Sequence, residues 1–450
     1  MFSITKLPEN SSSQFLSKME TKYYQLPSKG KTRPLKLNLR DFDDLEIYLI
    51  SKPGSEQVEL LIAKEELALS LSSGRICLRA VTSSIYCFEV RKSITNSLIL
   101  IATKIERVNL DREMARYRTC MAIDHLLTEK LNPDQQYEAR NILERWLLAL
   151  ANDKGALKVG DAIFSSAKLA PDYPATIKME EEICKKSLPI LDRISSIRQL
   201  AQQFLNTNIY TAVQEYKLVD DGVQIDEIIF TLSPKRKELL LDRFPSLYHL
   251  ATMVVRYACL LPRGQQWGIP DPIYKLLAER YEVKIEGFAS PLNSQLMIMG
   301  KEMEFCSLFS DTDAPYGSLG DFFEVDFKKE GKEDEGNKEK EYTGILINAP
   351  FIVSLLDRVV AKITSDLKGN HPLAFFFLVP EWTDAPFYKE LVASTFRRTD
   401  FQLRGRTYYF VDSMRDTIIP AKFTSHFFVL SNIMIDLSRL RTDVQQSYRQ

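Results

Sequence analysis

Apolar residues first recur at clear helical spacing after Glu106. Arg107 to Leu131 carries Met114, Tyr117, Met121 and Leu126 and reads as one helix, stopped by Asn132-Pro133-Asp134. Gln135 to Ala151 is the clearest amphipathic stretch, with Tyr137, Ile142, Leu143, Trp146, Leu147 and Leu150 as its apolar set. Ile190 to Phe204 repeats the pattern through Leu191, Ile194, Ile197 and Leu200. Val223 to Leu232 reads as a short strand, and Lys237 to Leu261 as helix again. Upstream, between Leu35 and Thr103, runs such as Ile76-Cys77-Leu78 and Leu98 to Ile101 fit either strand or buried helix. These signals predict a mainly helical domain over residues 23–265, behind a disordered tail over 1–22.

The texture changes near residue 266. After the loop Gln265 to Pro270 come a short helix (Pro272 to Tyr281) and four strands: Val283 to Ala289, Gly344 to Ile347, Leu373 to Val379 and Phe427 to Leu430. Helical stretches intervene at 352–366 and 386–396. Strands alternating with helices predict an α/β layer with a largely parallel sheet over 266–450. Residues 328–342 are a charged, low-complexity insertion, expected as a disordered surface loop.

Composition narrows the function classes. A chain of 450 residues allows two or three domains. Its net charge of −1 gives no global basic signature, so any nucleic-acid contact must come from local patches. The longest apolar runs, such as Ala374 to Val379, are too short to span a membrane, and Met1 to Glu20 has no signal-peptide core. The cysteines (Cys77, Cys87, Cys120, Cys184, Cys259, Cys306) form no C-x-x-C pair and read as reduced and largely buried, which fits an intracellular protein of nucleus or cytoplasm. No two of His125, His249, His371 and His426 fall at metal-ligand spacing, so neither a metal site nor a His-based triad is expected.

The candidate chemistry centres on Asn348-Ala349-Pro350-Phe351, which ends the strand Gly344 to Ile347 before a helix. Open α/β sheets place ligand chemistry at the carboxyl ends of their strands. There, the Asn348 side-chain oxygen and the Ala349 carbonyl can each accept one hydrogen of an adenine N6 amine, with Phe351 against the base. Both amine hydrogens engaged, the nitrogen lone pair is turned towards an electrophilic methyl, by positioning and electrostatics. Taken alone, an Asn-x-Pro after a strand is also a common turn. Arg112 and Arg116 share a helix face, either as a salt-bridged surface or as a phosphate clamp. Pro234-Lys235-Arg236-Lys237 reads as a surface patch at a helix start.

Five segments in order carry a resemblance: Gly287 to Asn293, Phe305 to Asp313, Tyr316-Gly317-Ser318, Asn348 to Phe351, and Val379-Pro380-Glu381-Trp382. They resemble the cap-specific adenosine N6-methyltransferases, the family of the phosphorylated-CTD-interacting factor, most strongly from Trp267 to Trp382. The resemblance implies a Rossmann-like class I methyltransferase core preceded by a helical domain. It implies methyl transfer from S-adenosylmethionine to N6 of the cap-adjacent 2′-O-methyladenosine of capped RNA. Asn348 to Phe351 then matches the catalytic Asn-Pro-Pro-Phe, while Phe288, Ala289, Ser290, Pro291 and Asn293, with Asp311, Asp313, Gly317 and Ser318, match segments around the cofactor pocket. Asp311 or Asp313 can bind ribose hydroxyls or the methionine ammonium, or equally cap a turn. Glu381 and Trp382, followed by Thr383, Asp384, Ala385 and Pro386, match the edge of the cap pocket, where an indole beside a carboxylate attracts a cationic base. Arg397, Arg398, Arg404 and Arg406 can hold phosphates.

The sequence departs from that pattern in three ways. Ala349 replaces a proline, the insertion 328–342 precedes the catalytic strand, and Trp146, Trp267 and Trp382 make no paired-tryptophan strand pattern. The last departure leads to the expectation that a WW module, and polymerase-tail docking through it, is absent. Pro291-Leu292-Asn293 also stands where many methyltransferases carry Gly-x-Gly. A monomer is expected. The alternatives are the same chemistry on uncapped RNA or DNA, and a catalytically inactive cap- or RNA-binding protein.

Overall fold

The computed structural model describes residues 109–152, 163–207, 210–244, 246–262, 267–300, 303–327 and 342–448, together with the backbone of the strands between 20 and 106. The chain divides into two compact units near Arg107. The first contains β1 (Glu20–Gln25), β2 (Leu35–Asn38), β3 (Glu46–Ser51), β4 (Gln57–Ile62), β5 (Glu65–Ser70), β6 (Gly74–Arg79), β7 (Ser84–Lys92) and β8 (Leu98–Glu106). They form two antiparallel sheets, ordered β1-β8-β7-β6 and β2-β3-β4-β5. The mainly helical reading of 23–265 is therefore corrected: short apolar runs alone did not separate strand from buried helix, and here they pair as strands. All of the insertion 328–342 except Tyr342, and most of the tail 1–22, lie outside the described residues.

The second unit begins with helices: α1 (Leu110–Thr128), α2 (Pro133–Asn152), α3 (Pro174–Lys185) and α4 (Ile194–Asn206). Asn109 caps α1 by accepting from the Arg112 backbone N–H at 3.0 Å. The expected apolar stripes are buried or half-buried, except that Met121 on α1, Tyr137 on α2 and Leu191 before α4 face outward. The strand read over 223–232 is instead a hairpin of β10 (Gly222–Ile225) and β11 (Ile228–Thr231), with β9 (Tyr216–Val219) beside β10. Asp226 turns the chain at φ 50°. The long helix read over 237–261 is two, α5 (Pro234–Arg243) and α6 (Leu247–Ala258), with Ser233 and Ser246 as their N-caps.

The remaining elements are β12 (Trp267–Gly268), α7 (Asp271–Tyr281), β13 (Val283–Ala289), α8 (Leu296–Met299), β14 (Glu304–Ser307), α9 (Ser310–Asp313), β15 (Thr343–Ile347), α10 (Val353–Leu367), β16 (Leu373–Pro380), α11 (Pro386–Ala393), β17 (Arg397–Leu403), β18 (Tyr409–Asp412), β19 (Thr417–Pro420), β20 (Ser425–Ser431) and α12 (Leu440–Ser447). A six-stranded sheet runs β14-β13-β15-β16-β20-β17. β14, β13, β15 and β16 are parallel; β20 is antiparallel to both neighbours. The fold is mixed α/β. β16 is apolar along its whole length because both faces of the sheet are covered. Phe375, Phe377 and Val379 face the α10–α11 side, while Ala374, Phe376 and Leu378 face the α7–α12 side.

Two buried arginines, Arg236 and Arg256, and half-buried Arg243 bind the helices to the sheet's loops. Arg236 donates to the Ser294 carbonyl at 2.7 Å, and Arg243 to the carbonyls of Met297 and Gly300, each at 2.7 Å. Arg256, 2 % exposed, reaches Glu113 at 2.7 Å and Asp311 at 3.0 Å, and Glu113 also pairs with Arg116. Burial alone would raise the Glu113 carboxyl; the two guanidinium groups outweigh it and hold it below its ordinary value. Beside this cluster Tyr257 donates to Asp313 at 2.6 Å and Thr312 Oγ1 donates to it at 2.8 Å. Among the described residues no helix is long and apolar enough to cross a membrane. Cys120, Cys259 and Cys306 are buried free thiols, whereas Cys184 is exposed.

Truncating Arg256→Ala would leave Glu113 short of one charge partner in the interior. The expected loss is about 3 kcal/mol or more, read as a fall in the urea midpoint at unchanged m; a shift too small to resolve contradicts the clamp. Asp313 gives a pH signature. Burial pushes its carboxyl up to about 7 from 3.8. The folded protein then holds a proton that the unfolded chain has released, so stability falls as pH rises from 3.8 to about 7. Thermal melts of Asp313→Asn should fall less steeply with pH across that window than melts of the parent protein; parallel curves would show that Asp313 does not titrate there.

Candidate active site at the carboxyl edge of the sheet

The parallel strands β13, β14, β15 and β16 end on one edge, at Ala289, Ser307, Ile347 and Pro380. From β13 the chain moves outward to β14, and from β15 outward the other way to β16. This reversal opens a crevice between the strand ends, because the loops on its two sides diverge. The crevice is a cleft partly open to solvent. Gly287, Phe288, Ala289 and Asn293 line it from the β13 side; Cys306, Ser307 and Leu308 from β14; and Asn348 and Pro350 from β15. Leu148 and Asn152 of α2, with Tyr257 and Leu260 at the end of α6, form the opposite wall.

Asn348 is half-buried at the lip, and its Nδ2 donates to the Trp267 carbonyl at 3.1 Å. A carbonyl only accepts, so this bond fixes which way the amide is turned and leaves Oδ1 on the other side. Trp267 is held for this by β12, which pairs with β18 through Trp267–Asp412 and Gly268–Val411. Ala349 is buried against the α10 side, and the Pro350 carbonyl accepts from Ile352 N at 2.8 Å, turning the chain into α10. Phe351 leaves the cleft and joins an aromatic group on the flank. Its ring lies edge-on to Trp382 at 6.5 Å, Phe410 at 6.4 Å and Phe423 at 5.8 Å.

The turn after β13 explains why no Gly-x-Gly is needed. Asn293 Oδ1 accepts from Ser290 N at 2.7 Å and from Ser290 Oγ at 2.9 Å, closing Ser290 to Asn293 as a side-chain-stapled turn around Pro291. Glycine stands instead at Gly287, where a Cβ would lie 2.4 Å from Ile347 Cδ1 and would make that side chain move. Beneath the turn, Glu286 accepts from Tyr274 at 2.5 Å, Ser294 at 2.9 Å and Gln295 N at 3.1 Å, and burial raises its carboxyl to about 7.

The remaining sequence-predicted residues divide. Phe288, Ala289 and Asn293 line the cleft, and Ser290 and Pro291 shape its turn. Asp311 and Asp313 do not line it: they bind Arg256 and Tyr257 and hold the helices in place. Gly317 turns at φ 103°, and Ser318 hydrogen-bonds Ser307 at 2.6 Å. Ser318 to Gly320 then run beside β14, through Leu319 N to Phe305 O at 2.8 Å and Ser307 N to Gly320 O at 2.7 Å. This run delivers Asp321 to the cleft, a carboxylate that sequence reasoning missed. Its one signal was an acid three residues beyond Ser318. Tyr257, Asn152 and Trp267 carried no local signal.

Trp382 is 40 % exposed, Glu381 is held by Gln402, and Thr383, Asp384 and Pro386 are exposed beside half-buried Ala385. Three arginine expectations change. Arg116 is 1 % exposed and paired with Glu113, so it cannot meet a phosphate in solvent, and half-buried Arg112 belongs to the same helix. Arg236, read as a surface cation, is 3 % exposed, and burial lowers it to about 10. Arg398 donates to the Ser431 carbonyl at 2.9 Å, at the amino edge of the sheet, opposite Asn348.

Comparison with known proteins adds two findings. The family described as Phosphorylated CTD interacting factor 1 WW domain matches residues 235–413. Two curated proteins, each named mRNA (2'-O-methyladenosine-N(6)-)-methyltransferase, from Mus musculus and Homo sapiens, are 31% identical to this chain over 124 residues. That alignment covers 27% of this chain and 15% of each relative. The family match overturns the expectation that the WW module, and docking to the polymerase tail through it, is absent; that expectation rested on paired tryptophans, whereas the match rests on a pattern spread over α5 to β18. The two comparisons support a relationship between residues 235–413 and that family, and suggest an RNA methyltransferase.

Proposed function

We propose that this chain is an S-adenosylmethionine-dependent adenine N6-methyltransferase acting on the cap-adjacent 2′-O-methyladenosine of capped mRNA, built on a Rossmann-like class I core. One observation carries the reading: Asn348 stands at the switch point of the sheet with its amide turned by the Trp267 carbonyl. Its Oδ1 is the acceptor for one N6 hydrogen of adenine, and the Ala349 carbonyl is the acceptor for the other. Phe351, edge-on to Trp382 and Phe423, supports the base from the flank. Holding both hydrogens concentrates electron density on the nitrogen and fixes its line of attack. Replacement of the family's proline by Ala349 keeps the carbonyl this step needs.

The lining of the cleft suits the cofactor's chemistry. Apolar Phe288 and Leu260 suit an adenine face, Asp321 suits ribose hydroxyls or the ammonium group, and side-chain-free Gly287 keeps the floor low. When bound, S-adenosylmethionine supplies an electrophilic methyl group. Tyr257, held by Asp313, and Leu260 would close the site from the helical side and exclude water. Trp382 beside Glu381 provides the indole and carboxylate that a cationic N7-methylguanine favours. The names of the related curated proteins agree with this substrate.

Purified protein with labelled S-adenosylmethionine should label capped RNA that starts with 2′-O-methyladenosine, and not RNA that starts with guanosine. Asn348→Ala should lower turnover by about 100-fold or more while RNA affinity stays within about twofold. No label in A-start RNA, or equal label in G-start RNA, overturns the reading. An unchanged rate after cap removal overturns its cap-dependent part.

A further inference from the structure

The flank of Asn348 away from the cleft presents exposed aromatic rings beside cations. Phe423 is 41 % exposed and Trp382 40 % exposed, and both rings touch Phe351 edge-on, at 5.8 and 6.5 Å. A third ring, Phe410, is buried behind them, 6.2 Å from Phe423. Phe423 belongs to the strand connection between β19 and β20, beyond the family match that ends at residue 413. Its backbone is fixed: the Phe423 carbonyl accepts from Tyr408 Oη at 3.1 Å, and the Gly405 backbone packs so closely that a Cβ there would lie 3.1 Å from Phe423. This contact brings the 404–406 loop against the Phe423 backbone, and Arg406 N donates to the Ala421 carbonyl at 2.7 Å. Arg404, Arg406 and Lys422 are all exposed there. The acidic groups of this edge, Glu381 and Asp384, stand instead on the 381–385 loop that carries Trp382.

From this arrangement we infer that Phe423, with Arg404, Arg406 and Lys422, forms a stacking platform for an unpaired polynucleotide strand. The nucleotide next to the target adenine rests on Phe423, and its phosphates run along the cations. Exposed rings next to exposed cations suit a strand whose bases have a free face; a duplex keeps its bases stacked and cannot offer one. The substrate must therefore be single-stranded where it enters. The inference deepens, and rests on, the reading of Asn348 as the adenine contact.

Fluorescence anisotropy with a short, uncapped, labelled oligoribonucleotide tests it, alongside its duplex and calorimetry with S-adenosylhomocysteine. The parent protein should bind the single strand more tightly than the duplex. Phe423→Ala should weaken single-strand binding about tenfold, and Phe423→Tyr should restore it. Arg404→Glu with Lys422→Glu should weaken binding and flatten its salt dependence. S-adenosylhomocysteine affinity should not change in any variant. Unchanged strand affinity in Phe423→Ala, equal affinity for duplex, or no strand binding by the parent protein overturns the platform. The two readings fail separately. If Phe423 matters for binding but no RNA is methylated, the platform stands and the catalytic reading falls; if methylation proceeds equally well in Phe423→Ala, the platform falls and the reading of Asn348 stands.

Discussion

A buried guanidinium holds the two halves of the second unit together. Arg256 leaves α6 and ends between Glu113 of α1 and Asp311 of α9, so one side chain joins the helices to the loop after β14. Removing a cation from water is expensive, and such a pair adds little net stability over a well-packed apolar cluster. Breaking it is costly, because buried Glu113 would keep only one of its two guanidinium partners. Arg236 and Arg243 repeat the device on the loop after β13, each donating to backbone carbonyls. The helices thereby become the second wall of the cleft, rather than a separate body beside the sheet.

With that wall in place, Asn348 stands between two different environments. On one side lies a cleft with apolar walls, one carboxylate and a floor kept open by Gly287. On the other lies the ring cluster of Phe351, Trp382, Phe410 and Phe423. The proposed methyl transfer needs such a division, because donor and acceptor must approach one point from opposite directions. The Trp267 carbonyl sets the amide between them, and it does so from a strand of two residues paired with β18.

Buried acids around the site serve the scaffold. Asp313 and Glu286 are each pushed up to about 7 by burial, and each accepts from several donors that hold a loop in place. A perturbed carboxyl beside a cleft often signals catalysis. Here neither group lines the cleft, and the acid that does so is Asp321.

Much of the α/β half was legible in the chain. A strand buried on both faces must be apolar throughout, so β15 and β16 announced themselves, and the Asn-Ala-Pro-Phe corner followed from where β15 ends. Amphipathic spacing likewise marked α1, α2 and α4, since one stripe must face a core. Strand against helix over residues 20–106 was not legible, because a short apolar run has the same composition in either state until a neighbour pairs with it. Charge was read least well. Arg116 and Arg236 looked like surface cations, and only their partners, Glu113 and the Ser294 carbonyl, make the interior tolerable for them. Tyr257, Asn152 and Asp321 could not be found by spacing, since each reaches the cleft through packing between elements far apart in sequence. The sequence by itself determined which residues must be buried and where the Asn-Ala-Pro-Phe corner turns; the tertiary structure decided which charges pair inside, because pairing depends on distance in space.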